Sequence, residues 1–203
     1  MMTGRQNPSA MNDSATRLLS FWFEELEQKD WFVQNDAVDR ALAEQFGHLL
    51  EAAGTGALDH WMDKPETALA LILVLDQLPR NLKRGSADAF KFDSEALKAS
   101  RAFIERYRDA FESLLPEQKL FVLLPLEHAE DLTAQDESVA WFEYFAPQMI
   151  GEAGAFWDEV TDYARRHREP IRRFGRFPHR NQVLGRKTTP EEAAWLQEYP
   201  GGF

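Results

Sequence analysis

The sequence predicts an all-α domain of antiparallel helices, a bundle or a stack of helical hairpins, and three observations carry that expectation. Apolar residues recur three and four apart along nearly the whole chain. Alternation with a period of two never persists, and no β-branched run stands between turn residues. Connections between the periodic segments are short, which favours antiparallel neighbours. A length of 203 residues suits one domain. It is expected over 14–203, behind a flexible polar tail at 1–13.

Each element has its own signals. Leu18, Phe21, Trp22 and Leu26 mark a first helix. Val38, Leu42, Phe46, Leu49 and Ala53 mark a second, with Asn35 as N-cap and Gly54 as its stop. A third opens on Asp63 and Glu66 as a capping box, with Pro65 in the first turn. Its run Ala68 to Leu75 is apolar on every face, so it has neighbours on all sides, and it is expected to end at Pro79. A fourth starts near Asp93 and runs through Ile104 and Tyr107 to Phe111. The fifth starts near Pro116 and contains Pro125, which frees the carbonyl of Phe121. The sixth covers 134–145, capped by Thr133. The seventh carries Phe156, Val160, Tyr163, Ala164 and His167 on one stripe and breaks before Pro170. Thr189 and Glu192 form a capping box that opens the last.

Composition narrows the function classes. The net charge is −11, and a pI near 4.9 argues against nucleic-acid binding. The absence of cysteine excludes disulfides and thiolate chemistry and fits a reducing compartment. The first residues hold no apolar signal-like core. The longest apolar run, Ala68 to Leu75, is too short to cross a bilayer. A cytoplasmic protein without membrane or nucleic-acid partners is expected; the oligomeric state is not legible.

Three constellations could carry chemistry. At the end of the apolar helix, Asp76 and Arg80 stand four apart and can pair, with Asn81 beside them. Around Pro125, Glu127 and Asp131 share a helix face, and His128 beside them could act as a general base. Glu127 and His128 are adjacent, which makes a poor chelate, so no metal and no cofactor is expected. The third is the run Arg165 to Lys187, with nine Arg or Lys against the single acid Glu169. Its net charge of +8 leaves −19 on the rest of the chain. Arg suits bidentate binding of phosphate or carboxylate, Gly175 permits an unusual backbone angle, and Phe174 and Phe177 anchor the segment. The run either holds an outside anion, or Arg173, Arg176 and Arg180 reach into Asp59, Asp76, Glu127 or Asp131.

Together, Trp22, the segment Leu75 to Asn81, the segment Pro125 to Asp131 and the segment Arg173 to Asn181 resemble the bacterial domain-of-unknown-function family 924. The motifs follow in order from about Leu18 to Phe203. The resemblance implies an all-helical, tetratricopeptide-like fold and carries no catalytic assignment.

The expected function is binding of a small anionic ligand or peptide in a mixed-charge pocket. Asp76, Arg80, Asn81, Glu127, His128, Arg176, His179, Arg180 and Asn181 would line it. One alternative is a hydrolase or transferase, with His128, His179 or Glu127 as the catalytic candidates and an Arg anion clamp. The other is a structural or interaction protein whose polar motifs pair internally. Exposed, unpaired Arg and His atoms favour the first two readings; internal pairing favours the third.

Overall fold

The structure is a computed structural model and describes residues 8–199. Its described residues form ten α-helices and no strand, as the periodicity requires. They cluster into two compact units. The first comprises the chain up to Arg84 together with Asp88–Val122; the second comprises Gly85–Ala87 and the chain from Leu123 onward.

In the first unit, α1 spans Pro8–Ser20 and passes into a π-helical turn, Phe21–Glu25. The stretch expected as a flexible tail at 1–13 is therefore helical from Pro8; Ala10, Met11 and Ala15 are good helix formers. The rest of that expectation, 1–7, lies outside the described residues. A short α2, Gln28–Phe32, went unpredicted because its five residues are too few to show a period. In α3, Asp36–Gly54, the Asn35 side chain caps the amides of Ala37 and Val38 as expected.

The helix α4, Pro65–Leu82, packs against α1, α3 and α5 (Asp93–Arg106). Its residues from Ala68 to Pro79 are all buried, the central position foreseen for a helix apolar all round. Two details differ from expectation. The N-cap is Lys64, not Asp63, because the residue before a proline is driven to extended backbone (φ −141°, ψ 145°). The Thr67 hydroxyl then closes the start by donating to the Trp61 carbonyl at 2.6 Å. The helix also continues through Pro79 to Leu82; proline removes one hydrogen bond, and burial along the helix outweighs that loss. Tyr107, expected inside one long helix, instead breaks it (φ −120°, ψ 43°) and sends its hydroxyl to the Met62 carbonyl at 2.7 Å. Then follow α6, Arg108–Ser113, and α7, Pro116–His128, inside which the division between the units falls.

In the second unit, α8 (Leu132–Phe145) packs on α9 (Gly151–Phe174). Asp131, not Thr133, caps α8, its carboxylate accepting the Ala134 N–H at 2.8 Å. It therefore does not share the α7 face with Glu127, because α7 stops at His128. α9 runs through Pro170, where a break was expected, because Trp157, Val160, Ala164 and Ile171 keep one face buried on either side of it. It ends at Gly175 in the left-handed region (φ 68°). A Cβ there would meet nothing within 4 Å, so conformation and not space selects glycine. Helix α10, Pro190–Glu198, opens on the predicted Thr189–Glu192 capping box. No described helix is long and apolar enough to cross a membrane.

Candidate functional site

Each unit holds one polar cluster built from the expected residues. In the first unit it lies at the end of α4. Asp76 is 1% exposed and pairs with Arg80 at 3.2 Å. The Arg80 guanidinium also donates to the Asp76 carbonyl at 2.6 Å and pairs with Asp93 at 2.9 Å. Gln77 Nε2 donates to the second Asp76 oxygen at 2.6 Å. Asn81 donates to Asp39 at 2.8 Å, and Arg84 pairs with the same carboxylate at 3.2 Å. A buried carboxylate costs free energy unless it is paired and hydrogen-bonded, and here both conditions are met from the helix's own last turns.

The cluster of the second unit is centred on Phe177, which is fully buried. The Arg180 guanidinium lies over its ring at 4.4 Å, and the rings of His179 and His167 stand 5.5 and 5.9 Å from it. Two carboxylates close around this hub. Glu130 accepts two hydrogen bonds from Arg186, at 2.6 and 2.9 Å, and one from the Phe177 amide at 2.8 Å. Glu192, 2% exposed, accepts two from Arg176, at 2.6 and 2.9 Å, and one from Asn181 at 3.1 Å. Arg186 further donates to Asn181 Oδ1 and to the Phe177 carbonyl, both at 3.0 Å. Arg180 donates to the His128 carbonyl at 3.0 Å. Bidentate geometry of this kind is what the guanidinium fork is shaped for.

The basic run is thus largely neutralised from within. Arg165, Arg166, Arg168 and Arg172 pair with Glu143, Asp162, Asp136 and Glu169. With Arg176 and Arg186, that accounts for six of its nine cations. Arg176 pairs with Glu192, which is not among the carboxylates expected from sequence, and Arg180 donates to the His128 carbonyl. Sequence reasoning also missed Glu192 as a clasp, because its place in a capping box already explained it. It missed His167 because its place on an apolar helix stripe read as core.

His167 is also placed in the second unit's interior, its Nδ1 3.0 Å from Glu127 Oε1 and 3.1 Å from the Tyr163 carbonyl. Two acceptors face that nitrogen, so it carries the hydrogen. Burial, and then the neighbouring His128, hold His167 down to about 3. Burial and the charge of Arg180 hold His179 down to about 4. The Arg176 hydrogen bonds bring Glu192 to about 2 against the cost of its burial. For Glu130, burial pulls upward, but Arg186 and the Phe177 amide outweigh it and keep the carboxyl below its usual range.

These shifts set a pH profile. The unfolded chain protonates its histidines near 6.5, while folded His179 and His167 resist until about 4 and 3. Between those values the unfolded state binds more protons, so stability is complete above about 6.5 and falls as pH drops toward 4. The carboxylates act lower, from about 4.5 down to about 2 for Glu192. Denaturant midpoints measured across this range should decline from pH 6.5 downward, and His179→Gln should flatten the upper part. A flat wild-type profile between pH 6.5 and 4.5 would contradict the placement of both histidines.

Among the described residues, no group of three or more His, Asp or Glu is arranged to hold a metal ion. Fold and clusters define an all-helical protein whose charged motifs are clasped by its own carboxylates. The chain belongs to a family of bacterial proteins of unknown function, DUF924, whose sequence pattern matches residues 18–200. It is similar to the solved structure of the protein of unknown function ATU0120 from Agrobacterium tumefaciens, at 33% identity and a TM-score of 0.77. That similarity covers 95% of this chain and 99% of the other. No curated protein matches it.

Proposed function

We propose that this chain is a cytoplasmic helical interaction protein in which the Arg-rich motif is an internal lock and not a ligand cleft. One observation carries the reading: Glu130 and Glu192 between them take Arg186, Arg176, Asn181 and the Phe177 amide. Cations engaged in this way are not offered to an outside anion. What each unit leaves for a partner is apolar surface, with Phe32 and Val33 exposed in the first and Tyr144 and Ile150 in the second. A tetratricopeptide-like stack of hairpins would suit such a role, because stacked helix pairs build extended binding surfaces.

A second reading, binding of a small anionic ligand or peptide at His179 and Arg180, is favoured by one feature. The Nδ1 atom of His179 is buried and has no hydrogen-bond partner among the described residues. A thermal-shift screen of phosphate esters, nucleotides and small carboxylates at fixed ionic strength separates the two. A ligand bound only by the folded state raises Tm by mass action. The lock predicts that no anion stabilises wild type more than Arg180→Ala. Selective stabilisation of wild type overturns it and establishes the second reading.

A further inference from the structure

The chain from Glu24 to Arg40 carries six acids against Lys29 and Arg40 alone. Within it, the end of α2 exposes two large apolar residues side by side, Phe32 at 55% and Val33 at 65%. The cause is Trp31. Its Nε1 donates to the Trp22 carbonyl at 3.0 Å, and its ring stands edge-on to Phe121 at 5.2 Å. Neighbours on a helix diverge by about 100°, so the residue after an inward Trp is turned outward. Phe32 meets that indole only edge to face, at 6.2 Å. Trp31 is thus the anchor of α2, and Phe32 and Val33 are left to solvent.

Val33 is one wall of an open recess of about 540 Å³ where α2 meets α3. That volume lies within the range of ligand sites. Lys29 and Asp30 line it from α2, and Asp36 and Ala37 from α3. Its charge has a definite sign. The first amides of α3, which would otherwise draw an anion, are taken by Asn35, whose Oδ1 accepts from Ala37 and Val38. Lys29 pairs with Glu27 at 2.6 Å. Asp30 accepts from the Asn35 side chain and from the Glu27 amide, both at 3.1 Å, and Asp36 accepts from Gln34 at 3.2 Å. Neither carboxylate forms an ion pair among the described residues, so negative charge stands directly beside exposed apolar surface.

We propose that this recess docks a basic, apolar segment of a partner protein. An apolar side chain of that segment packs against Phe32, Val33 and Ala37, and flanking Arg or Lys residues meet Asp30 and Asp36. Opposite charge selects the segment and speeds its arrival, and burial of the apolar contacts holds it. An acidic segment would meet repulsion at the same rim. The assignment rests on the reading of this chain as an interaction protein and supplies the chemistry of the partner.

A short labelled peptide of alternating Leu and Arg is the probe, with Glu-for-Arg and Ser-for-Leu versions as controls, at fixed ionic strength. The expected result is binding of the first peptide alone, with amide shifts in the wild-type protein confined to the recess, residues 29–37. Val33→Ser should weaken binding about tenfold, the loss of one apolar contact. Asp36→Asn should weaken it and lessen its salt dependence. Both positions are exposed, so both variants should melt like wild type. Should one unfold, the amide shifts of the wild type decide alone. No binding, or equal binding of the Glu peptide, overturns the proposal. So does binding that Val33→Ser leaves unchanged with shifts spread over the surface, which is unspecific attraction to a chain of charge −11. Sedimentation tests a second copy of the chain as the occupant: a wild-type dimer that Val33→Ser dissolves also overturns the proposal. None of these failures touches the internal lock, which the anion screen decides.

Discussion

Arg186→Ala is expected to be a strongly damaging truncation of a charged residue in the second unit, at about 2–3 kcal/mol, between the exposed-pair and buried-pair ranges because the pair is only partly buried. Arg186 makes two hydrogen bonds to Glu130 and one each to Asn181 Oδ1 and the Phe177 carbonyl. All of them go with the guanidinium, and Glu130 is left beside Phe177 with only part of its compensation. Arg186→Lys should recover less than half of the loss. An ammonium restores the charge but cannot reproduce a bidentate fork that also reaches two further oxygens. Denaturant melts of the three proteins measure this. A cost for Arg186→Ala within the ~0–1 kcal/mol typical of exposed pairs would mean that the clasp is a surface feature.

Arg80→Ala is the second large effect, at about 3–5 kcal/mol, the range for breaking a buried ion pair from one side. Asp76 is 1% exposed on a helix buried on every side, and Arg80 holds both its carboxylate and its backbone carbonyl. Arg84→Ala is the control. Arg84 is 42% exposed and pairs with Asp39, so its loss should cost less than about 1 kcal/mol. Equal costs for the two would show that burial of Asp76 adds nothing to the pair.

The Asp76–Arg80 pair was legible in the sequence because it is local: four residues on one helix meet whatever the rest of the chain does. The Asn35 cap, the Thr189–Glu192 capping box and the central place of α4 were legible for the same reason. The clasps were not. Arg186 and Glu130 stand 56 residues apart, and Arg176 and Glu192 stand 16 apart. A chain with 34 acids offers each arginine many candidate partners, and only the fold selects among them. Pro79 and Pro170 misled in the opposite direction. Each was read as a helix end from a local hydrogen-bond loss, and burial over several turns outweighed it. His167 carries no local mark at all; its meaning comes from Glu127, which approaches it from another helix.

The measurement that bears most directly on the internal lock is a double-mutant cycle on Arg186 and Glu130. Wild type, Arg186→Ala, Glu130→Ala and the double variant are unfolded in denaturant at pH 7, above the range where the histidines and carboxylates titrate. The lock predicts strong non-additivity: the double variant should be little worse than either single one, with a coupling of about 1–3 kcal/mol. Additive costs, with coupling inside about 0.5 kcal/mol, would mean that Arg186 and Glu130 do not act together, and the motif would then be free to serve an outside anion.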